Sequence, residues 1–367
     1  MPPLWLEVER AHFISLAFVQ RTMSPSVEAS CGGHITLLFA IDKSARLKRS
    51  QGSRGTGFTI NHGVLVSLTL HTDEVLAPKR TMVGMEPDAS SPRRSNERST
   101  VTVVDADGGN RSETALYMDY IQACRNATLL REHEYIDVQV TLQCPTSQGF
   151  GMSAAGLVAL GRAIHAATRR GSAVQYEKLA HRIEREHGAG LGDVLGLSVG
   201  GVELRIQPGA PGWPGQAVSF GLEAPLLLVW DAAEARHTSL YIDDPDWQNL
   251  ITKAGEASLA TLRTGAWNAG RWSEVLNESR NFADASGMLA EAERAAVYDA
   301  VMEEVGQIGL QATCAVRLCM LGSSVVVLPR RVDELPTEEE LIRLENELNR
   351  RGLGTLLSGF APTTRQH

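Results

Sequence analysis

Nothing in this chain of 367 residues approaches the run of ~20 apolar residues that a membrane-spanning helix needs. The N-terminus opens on acidic and polar residues rather than a basic stretch followed by an apolar one, so no secretory leader is expected. Met23 is an alternative start, with residues 1–22 as an N-terminal extension. Positive charge is also scarce. Lys and Arg total 35 against 43 Asp and Glu, a formal net charge of −8, which argues against a nucleic-acid surface. Only Ala45-Arg46-Leu47-Lys48-Arg49 is locally basic; it reads as a solvated loop, with steering of anionic substrates as the alternative. Five cysteines, an odd number without CxxC spacing, give neither a disulfide framework nor a zinc ribbon and point to a reduced, cytoplasmic setting. The sequons at Asn110, Asn126 and Asn277 are then chance matches. There is no internal repeat, no Gly-Lys-Ser/Thr phosphate loop and no GxGxxG turn.

What the chain does have is a hydrophobic fraction of 43%, enough for an ample core. It also has one conspicuous glycine-rich segment. Pro145-Thr146-Ser147-Gln148-Gly149-Phe150-Gly151-Met152-Ser153-Ala154-Ala155 leaves an alternating apolar strand, Ile136 to Leu142, and enters an Ala/Leu-rich helix. Glycines let backbone approach a ligand where a Cβ would block it. The free N–H groups and positive dipole end of the following helix suit an anion, most often phosphate. A plain tight strand–helix connection reads the same way from this segment alone.

The second segment is Gly190-Leu191-Gly192-Asp193, with Gly200-Gly201 beyond it. An Asp among glycines is usually a turn former. This one follows a helix that opens with Ser172 and Gln175 at capping-box spacing and ends near His187-Gly188, which places Asp193 on a defined loop. Glu184 lies in the last turns of that helix. Phosphoryl transfer from ATP needs N–H donors around the phosphates, a bridging cation and a carboxylate for the acceptor hydroxyl. Magnesium takes oxygen ligands and keeps several waters, so Ser153 and Glu184 are of the right type to hold it, and Asp193 to act as base.

The Gly149–Ala155 segment resembles the central phosphate-binding motif of the GHMP kinases, PxxxGLGSSAA. The spacing of Asp193 to Gly200-Gly201 is similar to that around the catalytic aspartate of their mevalonate-kinase branch. Within the superfamily the chain most resembles the archaeal pantoate kinases. Gly33-His34-Ile35-Thr36 is similar to their PAHIT, Gly52-Ser53-Arg54-Gly55-Thr56-Gly57-Phe58 to GSRGAGF, and Ala180-His181, Glu184 and Gly190–Val194 to AHxxE…GLGDV. Met320-Leu321-Gly322-Ser323-Ser324-Val325 resembles their MLGNSV.

The resemblance implies an α+β fold of two parts, an N-terminal ribosomal-S5-like ATP-binding part over residues 23–207 and a C-terminal ferredoxin-like part over 216–367. It implies ATP and Mg2+ as cofactors and a small hydroxy acid as substrate, with no nucleic acid, no membrane and a homodimer by analogy. Pro145, Gly149, Phe150, Gly151, Met152, Ser153, Ala154 and Ala155, with Gly322 and Ser323, would line the nucleotide. Ser153 and Glu184 would hold magnesium, and Asp193 would be the catalytic base. His34, Arg54, Gly55 and Gly192 would lie near the acceptor, Arg54 as a bidentate carboxylate clamp.

Departures fall beside that acceptor region: Gly32-Gly33 for Pro-Ala, and Leu37-Leu38 for Gly-Phe. They leave pantoate and a mevalonate derivative both open as acceptor. Met152 stands where the wider superfamily often has Ser. A non-catalytic nucleotide-binding module is the alternative of another class, and the joint presence of Ser153, Glu184 and Asp193 speaks against it.

The pattern predicts strands at 34–40, 57–60, 64–70, 100–104, 225–230, 325–328 and 353–357. Helices are expected at 113–129, 153–169, 174–187, 246–264, 272–283 and 288–309, with one more capped by Thr337 and Glu340. Residues 85–112 read as a polar insertion, and the Pro/Gly cluster 208–215 as the turn between the two parts. His181, Glu184 and His187 share a helix but lack His-Glu-x-x-His spacing and are not taken as a zinc site. His165 and Trp213 are expected to be packing or surface residues.

Overall fold

A computed structural model of the chain describes residues 26–72, 98–232 and 244–364. The proposed N-terminal extension and residues 85–97 of the polar insertion lie outside the described residues.

Two long antiparallel strands, β1 (Ser26–Asp42) and β2 (Gly52–Thr72), form the spine of a seven-stranded sheet. The short strands expected at 34–40, 57–60 and 64–70 are parts of these two. The register shifts between Gly32 and His34 and between Thr36 and Leu38, and such bulges break the simple alternation by which strand length is read from sequence. Along its other edge β2 pairs with β5 (Glu134–Leu142) through Val64–Thr72 and with β6 (Val202–Gln207) through Gly55–Phe58. Outside these lie β3 (Thr100–Val104), parallel to β5, then β4 (Asn110–Arg111), and β7 (Gln216–Phe220) beyond β6.

Helix α1 (Ala115–Asn126), α2 (Met152–Thr168) and α3 (Ala173–Glu186) follow the predicted spans to within a few residues. Ala154, Ala155, Gly156 and Ala159 are small enough for α2 to press closely on β1 and β2, and residues 154–161 are all buried. Ser172 and Gln175 form the expected capping box, Gln175 Oε1 accepting from Ser172 N at 2.8 Å.

Asp193 is not on a loop, as the glycines suggested. It opens a short helix, α4 (Asp193–Val199), because Val194, Leu195, Leu197 and Val199 all find core contacts. Burial of those side chains outweighs the poor helix propensity of Gly196.

The second sheet has four antiparallel strands in the order β11-β8-β10-β9. They are β8 (Pro225–Trp230), β9 (Cys314–Leu318), β10 (Ser324–Pro329) and β11 (Gly354–Gly359), with β9 unpredicted. Of the helices that follow, α5 (Pro245–Leu262) packs against β1, while α6 (Trp272–Ala285), α7 (Ala292–Ile308) and α8 (Glu338–Arg350), the last opened by the Thr337–Glu340 capping box, lie around the second sheet. The two sheets meet where Met320 N donates to Thr36 O at 3.1 Å and the Ser324 hydroxyl to Gln148 O. All five cysteines are buried and unbridged.

Candidate functional site

At that junction a cleft of about 720 Å³, open to solvent on one side, is lined by the glycine-rich segment, the 189–193 segment, Thr36 and Ser53, and Met320 and Leu321. Of the residues singled out from sequence, Pro145, Gly149, Phe150, Gly151, Met152, Ser153, Ala154, Glu184, Gly192 and Asp193 share this one wall. The chain order spreads them over three separate stretches, and the fold brings them together.

One end of the cleft is made of backbone. Gly149 and Gly151 have φ of 75° and 68°, the left-handed region that L side chains avoid. A Cβ on Gly149 would stand 2.8 Å from Cys319 O, so the loop is clamped against the second sheet. Gly151 caps α2 without a side-chain bond to its first turn, so the N–H groups of that turn remain available at the cleft wall. Two non-glycine residues in the same wall, Ser147 and Leu321, also have positive φ, 62° and 74°. Held strain of this kind gathers at ligand sites, and composition gave no sign of it.

The other end is made of buried charge. Glu184 and Asp193 converge over Gly190: a Cβ there would lie 2.3 Å from Glu184 Oε1 and 2.8 Å from Asp193 Oδ2. Burial, with the neighbouring Asp193 charge, pushes the Glu184 carboxyl well above the usual range. Glu184 Oε2 is buried with no hydrogen-bond partner. Two facing carboxylates with an orphan oxygen are an arrangement that a hard cation would satisfy, and Ser153 lines the same wall. Among the described residues no group of three or more His, Cys, Asp or Glu could hold a metal by itself, so such a cation would depend on water and phosphate oxygens for the rest of its shell.

Asp193 is held the opposite way. Burial works against its ionisation, but His34 Nδ1 donates to Asp193 Oδ1 at 2.7 Å and lowers its pKa, helped by the positive field of Arg205. His34 is fully buried. Burial disfavours its charge, yet Glu203 on one side and Asp193 on the other hold its pKa up to about 9. Its Nε2 donates to Glu203 Oε1 at 3.2 Å, and Arg205 Nη1 pairs with the same oxygen at 3.2 Å. Arg205 Nη1 also donates to Thr36 Oγ1 at 3.3 Å. The Nε and Nη2 of Arg205 are buried without partners. A Cβ on Gly192 would lie 2.4 Å from Ser53 Oγ and 3.0 Å from Arg205 Nε, so the guanidinium sits directly behind the cleft wall.

Glu203 and Arg205 were missed in the sequence. Both lie on β6, and an acidic and a basic residue two apart on a strand are usually a solvated face; only the pairing of β6 with β2 buries them.

Other expected residues fall outside the cleft wall. Arg54 gives Nε to Glu256 and Nη1 to Asp42, each at 2.8 Å, which leaves no free fork for a carboxylate. Gly55 backs onto Arg205, and Ala155 is buried within α2. Gly322 packs against the backbone of Gln148, and Ser323 beside it is buried with its hydroxyl unpartnered. His181 Nε2 pairs with Gln51 O at 3.0 Å and His187 Nε2 with Asp119 Oδ2 at 2.8 Å. Trp213 is 61% exposed.

Residues 118–201 match the N-terminal domain of the GHMP kinases. The chain is 32% identical over 155 residues to a pantoate kinase of Thermococcus kodakarensis, covering 42% of this chain and 49% of that one. It is 24% identical over 230 residues to a pantoate kinase of Methanocaldococcus jannaschii, covering 63% and 71%. The match therefore spans about half the length of the Thermococcus relative. A solved phosphotransferase related to the CoA biosynthesis pathway superposes with a TM-score of 0.67 at 21% identity, over 93% of this chain and 98% of that one. The fold is that of the GHMP kinases, an α+β arrangement with the two sheets described above.

Proposed function

We propose that this chain, which has the GHMP-kinase fold, transfers the γ-phosphoryl group of ATP to the primary hydroxyl of pantoate, giving 4-phosphopantoate for coenzyme A synthesis. The observation that carries the reading is the convergence of Glu184 and Asp193 over Gly190, across one cleft from the glycine loop. The loop glycines and the first N–H groups of α2 cradle the triphosphate and stabilise charge as it spreads over the transferring group. Ser153 and Glu184 hold the magnesium ion, which when bound neutralises the phosphate oxygens. An adjoining pocket that shares Thr146, Ser147, Met152 and Ser153 with the cleft takes the nucleoside.

The acceptor lies toward Thr36 and Ser53, with Arg205 behind them supplying positive potential for its carboxylate. Asp193 orients the hydroxyl. As the acceptor oxygen bonds to the γ-phosphorus and the bond to the ADP oxygen breaks, the hydroxyl proton passes to Asp193. A carboxylate kept ionised by His34 is a weak base, which suits a loose transition state in which the proton moves late and positioning dominates.

The similarity of the chain to pantoate kinases favours pantoate over mevalonate, mevalonate 3-phosphate or homoserine. ADP release with magnesium-ATP against these four acceptors tests it. Turnover on pantoate alone is expected. Turnover confined to a mevalonate derivative would keep the mechanism and replace the acceptor, and no turnover on any of them would return the chain to the non-catalytic reading.

A further inference from the structure

Far from the cleft, a second pocket of about 790 Å³ opens at the free edge of the four-stranded sheet. It lies between the edge strand β9, the residues that follow β10 and the start of α6. Three arginines line it, Arg317, Arg330 and Arg331, against one carboxylate, Asp333, an excess of two positive charges (3 − 1). Asp333 is engaged with Arg331 at 2.7 Å, and both are well exposed.

Among the described residues the other two arginines have no acidic partner within salt-bridge distance. Arg317 donates to the carbonyls of Leu276 and Val316 and to the Ser279 hydroxyl, all neutral. Arg330 gives Nε to Cys314 O at 3.3 Å and makes no other side-chain bond. Burial, and then the like charges of Arg280 and Arg330, pull Arg317 down to about 10 against the opposing pull of Tyr298 and Asp284. Burial is the larger cause, and the nearby charges of Arg280 and Arg330 act in the same direction.

The remaining wall is the first turn of α6, with Gly270, Trp272 and Ser273. The Arg271 side chain turns to Glu274 in that turn at 2.7 Å, and Trp272 Nε1 anchors the helix start to Pro329 O at 2.8 Å. Two guanidinium groups without acidic partners thus stand beside a rigidly held wall, a combination that favours an anion.

We propose that this pocket is a second anion site, separate from the cleft, that binds a small phosphate-bearing molecule. Arg330 grips the phosphate oxygens with Nη1 and Nη2, and Arg317, whose Nε and Nη1 are held by backbone carbonyls, adds Nη2 and its charge. Inorganic pyrophosphate and a simple phosphate monoester such as glycerol 3-phosphate share this chemistry, and titrating each separately tells a bare anion from an ester as the preferred occupant.

Calorimetric titration of the whole chain with pyrophosphate tests the proposal. Wild type is expected to show two saturable sites, one in the cleft and one here, and Arg330→Glu only one. Arg330 is exposed, so this variant should keep the melting temperature of wild type. Arg317→Met, which removes the charge, should weaken the second site at least tenfold. If the cleft binds no anion, wild type shows one site and Arg330→Glu none, which separates failure of the cleft reading from failure of this one. The same number of sites and the same affinities in wild type and Arg330→Glu would sink the proposal.

Discussion

The two ends of the cleft are built from different materials. The end proposed for phosphate is backbone: glycines in left-handed conformation, with Gly149 against Cys319, a helix terminus without a side-chain cap, and two strained residues, Ser147 and Leu321. The end proposed for the acceptor is side chain: a chain of charge running from Glu184 and Asp193 through His34 to Glu203 and Arg205. Backbone donors cost nothing to reorganise and accept any polyphosphate. Buried charges hold fixed positions only while every partner is present. The phosphate end should therefore tolerate change in its side chains and the acceptor end should not.

Asp193→Asn gives the largest effect. It keeps shape and loses the proton acceptor, so turnover should fall roughly 10²–10⁴-fold, the usual range for a general base. ATP binding, which belongs to the other end, should change little. A variant that turned over near normally would remove Asp193 from the chemistry.

Next is Arg205→Met, which leaves Glu203 buried with less compensation. Breaking a buried ion pair from one side costs about 3–5 kcal/mol, so a large drop in the midpoint of denaturant unfolding is expected. Unfolding indistinguishable from wild type would show that the buried chain of charge is not held as described.

At the phosphate end, Gly149→Ala puts a Cβ 2.8 Å from Cys319 O at a φ of 75°. Strain of about 1–3 kcal/mol should appear mainly as weaker ATP binding, with the acceptor's KM little changed. Equal weakening of both substrates would blur the division between the two ends.

The smallest effect is a pH dependence. The folded-state pKa of His34 is raised to about 9 from an ordinary 6.5, so its contribution to stability is fully present below about 6.5 and is lost as pH rises through 9. The stability gap between wild type and His34→Asn should narrow over that window. A gap constant from pH 6 to 10 would mean that His34 is not held protonated.

Much of the first region was legible because its rules are local. The strand, the left-handed glycines and the helix follow one another from β5 through Gly149 and Gly151 into α2, in the order the pattern required. Arg54 shows the limit. Its residue type suited a carboxylate clamp, but Asp42 and Glu256 occupy its donors, and Glu256 comes from α5, remote in the chain. Arg205 was overlooked for the mirror reason: a charged residue on a short strand looks solvated until the neighbouring strand is known.

The sequence by itself determined most of the helices, the capping boxes and the glycine turn ahead of α2. These follow from backbone sterics and spacing within a few residues. The tertiary structure alone decided that Glu184 faces Asp193 and that His34 lies between Asp193 and Glu203. It also decided that Arg205, rather than Arg54, backs the acceptor wall, and that Arg317 and Arg330 share a pocket. Those pairings join residues far apart in the chain, and the electrostatics that shift their pKa values act only over the few ångströms that folding creates.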